Sequence, residues 1–262
     1  MRPDRPIPLD LEATEYSYVE RPNSVLVDLV ERHVVAGRSS ARILDIGCGA
    51  GANARELKAR RPGVFIAGVE PNAHAASLSA PVMDEVFVGL ADAWLARAGE
   101  RPAFDAVILS DVVEHTPDPV RFLRELAAAP CLSSARFVVS VPNYAVWYNR
   151  LRTLAGRFDY AWSGLYDRTH LRFFTRRSLS GLLGYCDLRV IEERCTPSLV
   201  QSAAPLLRKL FEKDVAAGDH LSLTESPAFR AYRRFVEPAE AALCGVWPEL
   251  LGFQLVCVAE RG

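Results

Sequence analysis

The 262-residue sequence has no apolar run near the ~18 residues that a membrane span requires. Its opening stretch, MRPDRPIPLDLEATEY, holds no apolar segment of the secretory kind. A cytoplasmic protein without a membrane span is therefore expected. Neither charge is in excess: 31 basic and 32 acidic residues leave a net charge of -1. Such a balance carries no general signature of nucleic-acid or membrane-surface binding, so no nucleic-acid partner is expected. The six cysteines, Cys48, Cys131, Cys186, Cys195, Cys244 and Cys257, form no C-x-x-C pair and no metal-ligand spacing. They read as free thiols of a reducing compartment. Internal repeats and low-complexity segments are also missing. What remains is 50% hydrophobic and 24% charged, enough for a full core without covalent staples.

Within that composition the chain alternates two kinds of pattern. Residues 23–34 carry apolar positions at helical spacing, with Asn23 as N-cap and Gly37 as stop. Apolar runs at 41–47, 64–70, 84–89, 104–111 and 136–142 predict five strands. Helical segments separate them, such as 52–60 and the stretch that Asp118 caps and Pro119 opens. Thr175 is placed to cap a further helix ending near Gly184. Residues 188–195 and 252–260 predict a sixth and a last strand, and 197–250 read as helical. Continuous apolar strands alternating with helices predict an α/β fold, a doubly wound, mostly parallel sheet covered on both faces. Ligands of such sheets bind beyond the carboxyl ends of the strands.

The first of those ends is LDIGCGAG, residues 44–51, with glycines at 47, 49 and 51. Glycine costs backbone entropy, so three at alternate positions imply that something polar lies against the chain. GCGAGA fits the dinucleotide fingerprint G-x-G-x-x-A, but Asp45 at the lip of the loop would repel a pyrophosphate. An ammonium or sulfonium group would be favoured there instead. Glu70 ends the second strand, 25 residues after Asp45, where a carboxylate can accept both hydroxyls of a ribose. A ligand with a ribose, a positive charge and no phosphates satisfies both acids, and S-adenosylmethionine is such a ligand. A dinucleotide oxidoreductase is the more distant alternative.

LDIGCGAG, then GVEP, then FDAVILSDVVEHTPDP resembles the class I S-adenosylmethionine-dependent methyltransferases over at least residues 41–195. The resemblance implies a Rossmann-like seven-stranded sheet whose last strand is antiparallel and inserted beside the fifth. It implies a methyltransferase domain over 41–262, after an N-terminal arm and helix at 1–40, with cap insertions at 143–175 and 197–250. It also implies cofactor contacts from Asp45, Gly47, Cys48, Gly49, Gly51, Glu70, Pro71, Asp92, Ser110 and Asp111. The family often has an acid directly after the third strand; here Gly89-Leu90 stand there and Asp92 follows.

The segment after the fifth strand carries the acceptor question. Residues 150–177 hold seven arginines and only two acids, Asp159 and Asp167, amid aromatic residues from Tyr144 to Phe174. Arginine forks suit phosphate or carboxylate, and rings suit sugar faces or bases. An anionic acceptor is therefore expected, bound by Asn143, Tyr144, Tyr166, Asp167, Arg168 and Arg172. DRTHLRFFT, SVPN and YSYVERPNSVLVDLV resemble bacterial methyltransferases associated with surface-polysaccharide synthesis, which implies a sugar or glycan-linked hydroxyl. The alternatives are a small aromatic or quinone-precursor acceptor, permitted by the EH..DP region, and RNA. A hydroxyl acceptor benefits from a general base, for which His115 and His170 are the candidates. No metal is expected, because SDVVEH lacks the clustered carboxylate and amide ligands of a magnesium site. The oligomeric state stays open, a homodimer included.

Overall fold

A computed structural model of the chain describes residues 21–97, 99, 101–161, 164–197, 234–235 and 237–262. The predicted N-terminal arm and most of the predicted helical stretch at 197–250 lie outside the described residues.

The first strand, β1 (Arg42–Ile46), is the centre of a sheet built outward in both directions. β2 (Phe65–Glu70) and β3 (Glu85–Val88) lie to one side. β4 (Ala106–Ser110) and β5 (Arg136–Pro142) lie to the other, all parallel. β7 (Gly252–Arg261) then inserts antiparallel between β5 and β6 (Leu188–Pro197). The order is β3-β2-β1-β4-β5-β7-β6, as the resemblance implied. The reversal of direction between β1→β2 and β1→β4 makes the crevice at the end of β1 the topological switch point.

Side chains along each central strand alternate between two cores. Leu44, Ile46, Val107, Leu109, Phe137 and Val139 point to one face. There they meet α4 (Ala91–Leu95), α5 (Pro119–Ala128) and α7 (Arg176–Tyr185) through Trp94, Leu123, Leu126, Leu179 and Leu183. Ile43, Ile66, Ala106, Ile108 and Val138 point to the other, covered by α1 (Ser24–Val30) and α2 (Ala52–Arg60). The strands read as unbroken apolar runs because both faces are dry. Three predicted caps close on their helices. Asn23 accepts from Leu26 N at 3.1 Å, and Asp118 from Arg121 N at 3.0 Å. Thr175 forms a capping box with Ser178 at the start of α7. None of the six cysteines is in a disulfide, and among the described residues no helix is long and apolar enough to cross a membrane.

Trp94 is the largest of the fully buried side chains, with its ring 6.1 Å from that of Phe104. Trp94→Ala is expected to cost about 3–5 kcal/mol of stability, read as a lowered urea midpoint.

Candidate functional site

At the end of β1 the chain turns through a loop that only glycine fills without strain. Gly47, Gly49 and Gly51 have φ of 70, 53 and 77°. A Cβ at Gly47 would stand 2.6 Å from Val112 Cγ2, and one at Gly51 would stand 2.8 Å from Val82 Cγ2 and 3.0 Å from Ser79 Cβ. The first contact also shows that the loop after β4 lies directly against the glycine loop. Cys48 turns its thiol away from the crevice: Sγ faces Ser79 Oγ at 3.8 Å and packs beneath β2 beside Gly68. Burial and the nearby Asp45 push that thiol well above its ordinary range. Its contribution to the crevice is backbone.

Two carboxyls stand behind the loop. Glu70 accepts from Gly49 N at 2.9 Å with one oxygen and from Asn72 N at 3.0 Å with the other. It thus ties the glycine loop to the turn after β2, where Pro71 precedes Asn72, the N-cap of α3 (Ala73–Ser79). Asp45 is 1% exposed, and its Oδ1 has no hydrogen-bond partner. Burial, and secondarily Glu70, push its carboxyl up to about 7. A buried carboxyl oxygen without a donor, beside a second acid and a loop of left-handed glycines, is a cradle for a cationic ligand. The donor set fits S-adenosylmethionine and does not fit a pyrophosphate. Asp92 is exposed in the first turn of α4. The residue next to the pair's edge at β3 is Leu90, 60% exposed after Gly89.

A pH dependence follows for Asp45. An ordinary aspartate titrates at 3.8. Between about pH 4 and 7 the folded protein holds a proton that the unfolded chain releases, so this group's contribution to stability falls as pH rises. A cation seated against Asp45 favours the ionised form. Calorimetric titrations at about pH 6, in buffers of different protonation enthalpy, are expected to show close to one proton released per S-adenosylmethionine bound.

The loop after β4 packs beside the glycine loop through Val112. Asp111 adopts a left-handed φ of 55°, uncommon outside glycine. Gln254 Nε2 donates to its Oδ2 at 2.6 Å, and Ser140 Oγ to its Oδ1 at 3.4 Å. Burial raises the Asp111 carboxyl to about 6, against the pull of those two donors. Ser110 Oγ also meets Ser140 Oγ, at 3.3 Å. Gln254 escaped sequence reasoning; its signal is a lone carboxamide inside the apolar strand GFQLVCVAE. It also accepts from Asn23 Nδ2 at 3.3 Å, joining α1, β7 and the β4 loop.

The DRTHLRF segment docks onto EHTPD. Leu171 N and Arg172 N both donate to Glu114 O, at 2.8 and 3.0 Å. Arg172 Nη2 donates to Pro117 O at 2.6 Å. His115 Nδ1 lies 3.1 Å from Thr169 O, and His170 Nδ1 lies 3.2 Å from Leu165 O. A carbonyl only accepts, so both rings carry their hydrogen on Nδ1 and leave Nε2 as a bare lone pair. The rings stand edge to face with centroids 4.8 Å apart. Burial, and then His170, lower His115 to about 4; burial lowers His170 as well. Both are neutral at pH 7. Beneath them Glu114 is fully buried, with neither carboxyl oxygen hydrogen-bonded.

The other predicted acceptor residues divide. Asp167 accepts from Thr169 N at 2.9 Å and Thr169 Oγ1 at 2.7 Å, shaping the turn that presents His170. Tyr144, Tyr166, Phe158 and Phe173 form one aromatic cluster, with centroids 5.1–6.5 Å apart. Arg168 N closes the same segment onto Ala161 O at 3.1 Å. Asn143 is fully buried, and its amide donates to Glu249 O at 2.9 Å and Gly252 O at 2.8 Å. Its side chain latches the turn into β7. Three of the seven arginines take separate partners. Arg150 Nε donates to Ala145 O, Arg152 lies over the Tyr166 ring, and Arg176 pairs with Glu193.

A family model described as a methyltransferase domain matches residues 18–193. Among curated proteins, the chain is 30% identical over 121 residues to a ubiquinone biosynthesis O-methyltransferase of Chromobacterium violaceum, covering 42% of this chain and 48% of the relative. It is 28% identical over 158 residues to a protein of the same name from Methylobacterium nodulans, covering 57% and 60%. The chain thus spans about half the length of the curated relatives it matches. Among solved structures, a SAM-dependent methyltransferase from Archaeoglobus fulgidus superposes with a TM-score of 0.53 at 20% identity, covering 91% of this chain and 94% of that one. At that identity the likeness is one of fold.

Proposed function

Because this chain belongs to the methyltransferase family, in its class I S-adenosylmethionine-dependent form, we propose that it methylates a hydroxyl oxygen of a small aromatic acceptor. S-adenosylmethionine supplies an electrophilic methyl group on a sulfonium centre. The chain's own residues hold it and present the acceptor. Asp45, the backbone of Gly47–Gly51 and Glu70 are assigned to the methionine and ribose parts, and Leu90 to the adenine edge. Ser110 and Asp111 line the sulfonium side. The observation that carries the reading is the neutral His115–His170 pair, reached from the same β4 loop whose Val112 packs against Gly47. A hydroxyl entering there meets Nε2 lone pairs able to take its proton, and the oxygen is left to attack.

The acceptor class rests on two supports. The aromatic cluster of Tyr144, Phe158, Tyr166 and Phe173 adjoins His170, whose ring centroid is 6.5 Å from that of Phe173. Four of the seven arginines that favoured an anionic glycan, Arg150, Arg152, Arg172 and Arg176, are engaged with carbonyls, a ring and a glutamate. The name of the curated relatives agrees with a phenolic acceptor. The glycan-linked hydroxyl remains the second reading, favoured by the local charge of 143–177. Incubation with labelled S-adenosylmethionine and a panel of catechols, nucleotide sugars and short RNAs separates them. Label is expected in catechols. Label only in nucleotide sugars would restore the glycan reading, and label only in RNA would overturn both.

A further inference from the structure

Glu114, His115 and His170 form a cluster that the proposed proton transfer does not explain. A lone base would need one imidazole and no buried acid. Here a carboxyl oxygen of Glu114 and a nitrogen of each ring lie within 4.8 Å of one another. Glu114 is 0% exposed and neither oxygen has a hydrogen-bond partner. An unpaired buried carboxylate is costly unless something cationic or a proton satisfies it. Both imidazoles fix their Nδ1–H on backbone carbonyls. That is the outer-shell arrangement that orients a histidine ligand and bares Nε2 for a metal.

We propose that Glu114, His115 and His170 bind one divalent first-row transition-metal ion through the Glu114 carboxylate and the two Nε2 atoms. Two nitrogens and one oxygen suit zinc, manganese, cobalt or iron(II) better than magnesium. Ligand bonds of about 2.1 Å require the donor atoms to approach to about 3.4 Å, a closure within reach of small side-chain rotations. Three protein ligands leave positions for water or for an acceptor oxygen. The site bridges two segments: Glu114 and His115 follow β4, and His170 arrives from DRTHLRF. Its third ligand therefore comes from a segment distant in sequence, which is why no ligand spacing was visible in SDVVEH.

The inference rests on the hydroxyl-acceptor reading for its purpose and replaces the base at Nε2: with both lone pairs on an ion, the ion would lower the pKa of the bound hydroxyl, whose proton passes to solvent. It does not rest on that reading for its test. Purified full-length chain is stripped with chelator, then titrated with Co²⁺ and followed by visible absorption and elemental analysis. One ion per chain is expected, with the absorption bands of nitrogen and oxygen ligands. Glu114→Gln and His170→Ala should each weaken binding by about a hundredfold, with S-adenosylhomocysteine affinity kept. Retained cofactor affinity and melting temperature show that the variants fold. Binding well under one ion per chain, or binding unchanged in both variants, overturns the proposal and leaves a protonated Glu114 as the answer. If Co²⁺ binds as expected but no hydroxyl acceptor is methylated with the ion restored, the metal site stands and the acceptor reading fails. If methyl transfer to a catechol proceeds in metal-free protein, the ion has no part in the reaction.

Discussion

Glu70→Ala is expected to lower S-adenosylmethionine affinity by about a hundredfold. The wild-type carboxylate receives Gly49 N at 2.9 Å and Asn72 N at 3.0 Å. Bonds to a charged acceptor contribute about 1.5–3 kcal/mol each, and 2.7 kcal/mol is a hundredfold in binding. Alanine therefore removes two supports at once. The glycine loop loses the bond that holds its left-handed residues in place, and the ribose loses its acceptor. Glu70→Gln separates the two effects. Its carboxamide still accepts at one atom but presents an amino group at the other, so one backbone N–H faces a donor. The loss should be intermediate, about tenfold, with a smaller drop in melting temperature. Calorimetric titration with S-adenosylhomocysteine reads all three proteins. Wild-type affinity in Glu70→Ala would mean that the crevice beyond β1 is not the cofactor site.

How much of this was legible beforehand depended on whether a residue's signal is local. The strands were legible because each is buried on both faces, and a fully dry strand must be apolar throughout. The caps of Asn23, Asp118 and Thr175 were legible because a side chain bonding an amide two or three residues on is a local event. Glycines 47, 49 and 51 were legible for the same reason: the left-handed turn is encoded where it occurs. Gln254 and Leu90 were not. Gln254 matters only because β7 inserts antiparallel and carries it to Asp111, 143 residues away. Leu90 looked like a departure from an acidic pattern rather than an apolar edge. The partners of Arg150, Arg152, Arg172 and Arg176 were not legible either, since a charge count does not reveal a main-chain carbonyl, a ring or a glutamate brought in by the fold. Cys48 stood in the motif, yet its side chain belongs to the core beneath β2. The Glu114–His115–His170 cluster was half visible, as EH in one motif and H in another, and only the docking of DRTHLRF brings the halves together.

That docking gives the last expectation its force. His115 has two nitrogens with two separate duties. Nδ1–H ties the β4 loop to Thr169 O, and Nε2 is left as the free lone pair of a ring that stands edge to face against His170. His115→Ala removes both, and kcat is expected to fall by about 10²–10⁴-fold. Part of that fall would come from a loosened clamp rather than from lost chemistry. His115→Asn keeps an amide N–H near the Nδ1 position and deletes Nε2. His115→Gln does the reverse, reaching the Nε2 position without the Nδ1 donor. If the reactive atom is Nε2, the asparagine variant should keep the wild-type melting temperature and still lose kcat as the alanine variant does. The glutamine variant should lose about 1 kcal/mol of stability with the bond to Thr169 O, and should lose kcat as well, since an amide offers no lone pair on nitrogen. Cofactor affinity should be unchanged in all three, because the bonds of His115 go to Thr169 O and Val112 O and none to a residue assigned to the cofactor. The alternative is a clamp and nothing more. In that case asparagine would restore kcat to the wild-type value, and the hydroxyl would have to lose its proton to some other group.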